Sequence, residues 1–247
     1  RHAESAGLYV NLITSGVGVS EAALDELVEA GVQHVQLSFQ DSDAPGAKET
    51  CGVDALAKKK EFASVLARKP VAFTANFVIQ RSNHSRLQQM IDLGVELGAG
   101  KIEVAHVQFS GWALKNRARL LPSAAMVQES MRLIASNKER LKGRVRLDYV
   151  LPDYYADTPK ACMGGWGAKM ILINPRGQAL PCHSAETIPG YPIPSVKDSS
   201  LGEIWNSSPL FNAFRGDDWM MEPCRSCDNK SLDFGGCRCQ ALALAGD

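Results

Sequence analysis

Along the first 150 residues, apolar positions recur with two periods in alternation. Runs of strand length fall at 8–14, 34–39, 71–79, 101–107 and 145–150, HVQLSF and KIEVAH being the clearest. Helical spacing covers 21–30, 53–67, 85–97 and 123–141 between them. Ser20, Ser85 and Ser123 stand where N-caps belong, and Gly31, Gly98 and Gly143 where helices stop. Strands spaced by helices predict a parallel α/β sheet with right-handed crossovers. Five strands suit either an open doubly wound sheet or part of a (β/α)6 barrel whose first units are absent.

Both architectures place a ligand at the carboxyl ends of the strands. Those ends carry Thr14-Ser15-Gly16, Ser38-Phe39-Gln40, Asn76, and Glu103 with His106, polar groups where a core needs none.

Beyond Leu151 the helical period disappears. LPDYYADTPKACMGGWGAKM is rich in Pro and Gly, and MILINPRGQALPC reads as a hairpin turning at Pro175-Arg176-Gly177. A Pro-rich loop at 188–197 and a short helix near 201–206 follow. A region this irregular needs a staple other than an apolar core. A barrel part over 1–150 and a second domain over 151–247 are therefore expected.

Charge narrows the function classes. Lys plus Arg and Asp plus Glu both number 27, which gives no basic surface for nucleic acid or acidic lipid. No apolar run reaches the length of a membrane span. The opening RHAESAGLYV has no Met and enters in mid-helix, so an internal piece of a longer, cytoplasmic protein is expected.

Six of the seven cysteines lie beyond residue 160: Cys162, Cys182, Cys224, Cys227, Cys237 and Cys239. Disulfides, a structural zinc and iron–sulfur clusters all use such thiols. Disulfides fit poorly, because Cys237 and Cys239 are too close to bridge comfortably and cytosolic chains seldom keep bridges. Zinc suits Cys224-x2-Cys227 but not the tight Cys237-x-Cys239. Iron–sulfur clusters accept thiolates from distant segments and hydrogen bonds from Gly-rich loops. Cys51, alone in a polar loop, reads as an incidental thiol, and Trp112 and Trp166 as packing groups.

The spacing Cys162-x14-Gly177-x4-Cys182, continued by Cys224-x2-Cys227-x5-Asp233-x3-Cys237, resembles the SPASM domain of radical S-adenosylmethionine enzymes. HVQLS, EVAH, LPDYYA, GGWG, EPCRSCD and GGCRCQALAL look like the peptide cyclases of pyrroloquinoline quinone biosynthesis within that family. The resemblance implies two auxiliary clusters, [2Fe-2S] or [4Fe-4S]. Cys162, Cys182, Cys237 and Cys239 would hold one. Cys224 and Cys227 would hold the other, with Asp233 where the family places its third Cys. His183 would stand next to a ligand as a hydrogen-bond donor to the first.

The Cys-x3-Cys-x2-Cys motif that holds the S-adenosylmethionine [4Fe-4S] cluster in the family does not occur in this sequence, and is expected upstream. The implied reaction joins a Glu side-chain carbon to a Tyr ring in the precursor peptide PqqA. A peptide carrier, PqqD, and an external one-electron reductant are the implied partners. Ser15, Ser38, Gln40 and Asn76 would bind S-adenosylmethionine; Glu103, His106 and Tyr154 would serve the peptide or proton transfer. A different SPASM maturase, such as a thioether-forming one, and a zinc-stapled peptide-binding module remain as alternatives.

Overall fold

The computed structural model describes residues 1–151, 155–156 and 159–245. In chain order the elements are α1 (His2–Ser5), β1 (Asn11–Thr14), α2 (Glu21–Glu29), β2 (His34–Phe39), α3 (Ala44–Cys51), α4 (Leu56–Leu66), β3 (Ala72–Ile79), α5 (Leu87–Glu96), β4 (Lys101–His106), α6 (Gly111–Lys115), α7 (Arg117–Leu120), α8 (Ala124–Leu141), β5 (Arg146–Val150), β6 (Leu172–Ile173), β7 (Ala179–Leu180), α9 (Leu201–Ser207), α10 (Pro209–Asn212), α11 (Lys230–Asp233) and α12 (Arg238–Ala245). The chain divides into two compact units, one of Arg1–Val107 with Ala118–Pro152, the other of Gln108–Arg117 with Asp153–Asp247. The short stretch after β4 thus groups with the cysteine-rich region.

In the first unit the five strands lie in sequence order, β1-β2-β3-β4-β5, and every neighbouring pair is parallel. A doubly wound sheet reverses its order at a switch point. This one never reverses, which is the order of a barrel arc. Right-handed crossovers then return every helix to the same face, and a single core fills it. Val35, Leu37 and Phe39 of β2, Phe73, Ala75 and Phe77 of β3, and Ile102 and Val104 of β4 meet Leu24, Phe62, Leu66, Met90 and Ile91 from the helices. Each large side chain buried there contributes about 1.5–3 kcal/mol by leaving water. Strand side chains alternate between faces, so the intervening residues must point away from this core.

Helix ends follow local chemistry with two departures from expectation. Ser20 and Ser123 cap α2 and α8 through the N–H groups of Ala23 and Met126. Ser85 does not cap: it sits inside a 3-10 turn, His84–Arg86, that leads into α5. The stretch expected as one helix from residue 53 starts only at Leu56. Ahead of it lies α3, capped by Asp43 with Pro in its first turn and stopped by Gly52 in the left-handed region.

The second unit is held by two small apolar clusters. Trp166, Leu180, Ala185, Ile188, Leu210 and Cys239 form one, and Ala179, Ile204 and Phe211 the other. Among the described residues its regular structure is a two-residue antiparallel ladder, β6 with β7, and five short helices, α6 and α9 to α12. Gln240 anchors the Gln108–Arg117 stretch to α12. Its Oε1 accepts from Phe109 N at 2.9 Å, and its Nε2 donates to Phe109 O at 2.8 Å. Among the described residues no helix is long and apolar enough to cross a membrane.

Candidate functional site

The face of the sheet turned away from the helices is polar, and the strand register orders it into rows. Ser38 pairs with Asn76, Asn76 with Glu103, and Glu103 with Asp148. Three of the residues expected at a ligand site thus share one row, and Asp148 extends it. The next row toward the amino ends runs Gln36, Thr74, Lys101 and Arg146. Asn76 Nδ2 donates to Glu103 Oε1 at 3.2 Å. Lys101 Nζ lies 2.9 Å from Glu103 Oε2 and 3.0 Å from Asp148 Oδ2, and Arg146 Nε lies 3.0 Å from Asp148 Oδ1. Burial pulls the Lys101 ammonium down, but the hydrogen bonds to Glu103 and Asp148 override it and hold it above the ordinary lysine range. Burial likewise pushes the Asp148 carboxyl up, and Arg146 and Lys101 hold it below its ordinary value.

Gln40 follows β2, and its side-chain oxygen accepts from Lys59 Nζ at 2.7 Å. Ser15 follows β1, its Oγ 3.4 Å from Val17 N. Gly16 beside it has φ +71°, and a Cβ there would meet Phe62 at 2.7 Å and Leu37 at 2.8 Å. Only glycine lets this loop press onto the core. His106 departs from the group. It has the same strand parity as Ile102 and Val104, so it lies on the helix-covered face, away from Glu103. There its Nε2 is 2.6 Å from Tyr149 Oη, and burial pushes the Tyr149 phenol up to about 12. Tyr154 lies outside the described residues.

Sequence reasoning missed Lys101, Asp148 and Lys59. The first two were signalled by alternation: Lys101 and Glu103 in KIEVAH, and Arg146 and Asp148 in RLDYV, alternate with Ile102, Val104 and Leu147. That pattern marks strands with one face on the core and a polar face opposite. Lys59 carried a fainter sign, a lysine on the apolar stripe of its helix.

In the second unit, backbone turns converge on four thiols. Cys162 opens a 3-10 turn in which Met163 and Gly164 both adopt positive φ. Cys182 follows β7, and Ser184 N lies 3.3 Å from its Sγ. Cys237 follows Phe234, Gly235 and Gly236, three consecutive residues at positive φ, and Cys239 sits in the first turn of α12. Cys239 is 1% exposed, and its Sγ is 3.7 Å from that of Cys182. The hydrogen bond from Cys239 draws the Cys182 thiol down to about 6 against the effect of burial, with the N–H groups of Ser184 and Ala185 assisting. The same bond, burial, and the nearby charges of Cys182, Cys237 and Cys162 push the Cys239 thiol up. Cys239 therefore feels all three of the other thiols.

The donor set fits an iron–sulfur group. A tetrahedral metal with thiolate bonds of about 2.3 Å holds two sulfurs about 3.8 Å apart, close to the Cys182–Cys239 separation of 3.7 Å. Among the described residues no three His, Cys, Asp or Glu side chains gather around a single-ion position. Cys224 and Cys227 are exposed, in successive turns linked by Cys227 N to Cys224 O at 3.2 Å. Asp233 closes α11, where its Oδ1 accepts from Gly235 N at 2.8 Å. Cys51 is exposed. Trp166 is a packing group, 3% exposed with its Nε1 donating to Leu210 O at 2.8 Å, whereas Trp112 is 78% exposed.

Comparison with known proteins decides the family. Residues 162–228 match the SPASM iron-sulfur cluster-binding domain, a span holding Cys162, Cys182, Cys224 and Cys227. The chain is 52% identical to the PqqA peptide cyclase of Gluconobacter oxydans (strain 621H) over 246 residues, which are 99% of this chain and 68% of that protein. The chain belongs to the PqqA peptide cyclase family. It is also 53% identical to the PqqA peptide cyclase of Methylorubrum extorquens (strain PA1), over 98% of this chain and 63% of that relative, so it spans less than two thirds of the latter's length. The fold is similar to that of Streptococcus suis SuiB crystallised with S-adenosylmethionine, with a TM-score of 0.76 at 14% identity, covering 98% of this chain and 58% of SuiB. The chain thus combines the partial-barrel fold read from the strand order with an iron–sulfur cluster-binding domain later in its sequence.

Proposed function

We propose that this chain forms the ligand-binding sheet and the auxiliary-cluster domain of a radical S-adenosylmethionine enzyme that joins a Glu side-chain carbon to a Tyr ring in the peptide PqqA. The observation that carries the reading is the convergence of Cys162, Cys182, Cys237 and Cys239 in a chain half identical to PqqA peptide cyclases.

Reductively cleaved S-adenosylmethionine supplies hydrogen-atom abstraction, and the auxiliary iron–sulfur groups supply one-electron transfer. This chain's residues bind and orient. Ser15, Ser38, Gln40 and Asn76 offer hydroxyl and amide groups at the carboxyl ends of the strands, where such sheets take their ligands. Glu103 and Asp148 add two carboxylates to the same face, balanced by Lys101 and Arg146. Joining the two carbons removes two hydrogens from the peptide, and one proton and one electron must leave the Tyr ring to restore it. Glu103, directly beside Asn76 in the polar row, would take that proton. His106, on the other face, packs rather than reacts.

Cys162, Cys182, Cys237 and Cys239 would hold one auxiliary group, and Cys224, Cys227 and Asp233 the other. The close Cys182–Cys239 pair favours two thiolates on one metal atom, hence a two-iron cluster there over a cubane with one thiolate per iron. Zinc satisfies the same spacing, which makes elemental analysis decisive. PqqD is the expected carrier of the peptide.

The test uses the full-length protein, purified without oxygen. Iron and sulfide beyond one four-iron cluster, with PqqA converted to a product lighter by two hydrogen atoms in the presence of S-adenosylmethionine and reductant, is the expected result. Zinc without sulfide, or PqqA returned unchanged by a fully loaded protein, overturns the reading.

A further inference from the structure

Helix α4 reads LAKKKEFASVL, and its three lysines have different fates. Leu56, Lys59, Phe62, Ala63 and Leu66 recur at helical spacing and form its buried stripe. Lys58 is exposed, whereas Lys59 is only 4% exposed. A buried ammonium is costly unless its protons are taken and its charge balanced. Nζ donates to Ser38 O at 2.8 Å and to Gln40 Oε1 at 2.7 Å. Among the described residues none of the ion pairs includes Lys59. Burial holds the ammonium below the ordinary lysine range, opposed by the charge of Cys51.

Gln40 is fixed twice over. Asn83, fully buried, donates one amide hydrogen to Gln40 O at 2.9 Å and the other to Val78 O at 3.0 Å, while its Oδ1 accepts from Gln80 N at 2.8 Å. The ends of β2 and β3 are thereby tied together. Lys59 fixes the side chain. An ammonium has donors only, so the Gln40 group facing it must be the oxygen. The amide NH2 then points elsewhere, with no hydrogen-bond partner among the described residues.

We propose that Lys59 is a positioning residue: by holding Gln40 Oε1 it orients the Gln40 amide so that its NH2 donates to an acceptor, a carboxylate or hydroxyl oxygen, on the ligand bound at the strand ends. The inference rests on the reading that Gln40 contacts S-adenosylmethionine. It adds how that contact is set, by a residue that need not touch the ligand.

The experiment measures S-adenosylmethionine binding by equilibrium dialysis on the full-length, cluster-loaded protein, for Gln40→Ala, Lys59→Met and the double variant. Each single change is expected to weaken binding roughly tenfold, the loss of one good hydrogen bond. The double variant is expected to be no weaker than either single one, because both remove the same contact. Multiplying losses, or a Lys59→Met protein that binds as well as the parent while Gln40→Ala does not, overturns the inference. Normal binding by Gln40→Ala overturns the ligand-site reading itself, and the inference with it. If Lys59→Met does not fold, Gln40→Glu decides. Its carboxylate pairs with the ammonium and lacks the donor, so the unfolding temperature should rise while binding falls about tenfold. A Gln40→Glu protein without that gain, or one that binds normally, rules the arrangement out.

Discussion

Asn76 and Glu103 are register partners on adjacent strands, and the amide of one donates to the carboxylate of the other at 3.2 Å. Lys101 occupies the second carboxylate oxygen at 2.9 Å. Glu103 thus accepts at both oxygens before any ligand arrives, with a second lone pair left on each for a further proton or donor. Glu103→Ala leaves Lys101 with Asp148 and frees Asn76. The pair is partly exposed, so water screens it, and the expected cost is about 1 kcal/mol of stability. Denaturant unfolding measures that cost. Cross-linking of PqqA should fall by far more than this cost explains; a fall no larger than the lost folded fraction would make Glu103 a scaffold residue only.

Tyr149 and His106 form a second polar pair, on the covered face. Tyr149→Phe removes the phenol oxygen and leaves a buried imidazole nitrogen short of a partner, costing about 1–3 kcal/mol. Peptide turnover per folded molecule should be unchanged. Turnover lost at undiminished stability would put the pair into the chemistry.

Asp233→Ala is expected to change the spectrum of one auxiliary cluster and leave the other as it was. Cys239→Ala should do the reverse, because Cys239 packs with Cys182 and Cys237. Electron paramagnetic resonance of the reduced protein separates the signals. Identical spectra for the two variants would show a single shared cluster.

Acid should weaken the first unit through His34. Burial and then the charge of Lys101 hold its imidazole below the ordinary 6.5, against the pull of Glu103. As pH drops below 6.5 the unfolded chain takes up the proton first, and the folded state loses stability down to the lower folded value. The denaturant midpoint should decline as pH falls through 6.5, and decline less in His34→Gln. Parallel curves for the two proteins would remove His34 as a cause.

Gly16→Ala tests the loop after β1. The new Cβ would meet Phe62 and Leu37 within 2.8 Å, in a backbone conformation at φ +71° that disfavours side chains. About 1–3 kcal/mol of destabilisation is expected, read as a lower unfolding midpoint. No change would mean that the loop moves away from the core freely.

Much of this was visible in the chain itself. HVQLSF and KIEVAH alternate so cleanly that β2 occupies its expected residues and β4 all but the last of them. The grouping of Cys162, Cys182, Cys237 and Cys239 comes from the resemblance of the cysteine pattern to the SPASM domain, which the match over residues 162–228 supports for the first part of that pattern. Tertiary context decided the rest. Strand order depends on which strands pair, which no local window records, so periodicity alone suited barrel and open sheet alike; the barrel part expected over 1–150 is what β1 to β5 in sequence order bear out. Helix α3 escaped because Pro45 and Gly46 disrupt its apolar period, although Asp43 and Pro45 are the cap and first-turn residues of a helix start. Ser85 had the right chemistry for a cap but lies inside a 3-10 turn. His106 was read as part of a strand-end cluster, yet counting by twos from Ile102 already assigns it to the other face.

The parity of the central strands constrains how this lineage can change. A single residue inserted or deleted within β3 would trade Phe73, Ala75 and Phe77 for Thr74, Asn76 and Val78, exposing grease on one side and burying amides on the other. Such an event is lethal to both the packing and the row that answers to ligand. Evolution is left with point substitution inside the strands and must place its changes of length in the turns. Aligned PqqA peptide cyclases should therefore show gaps between these strands and none within them.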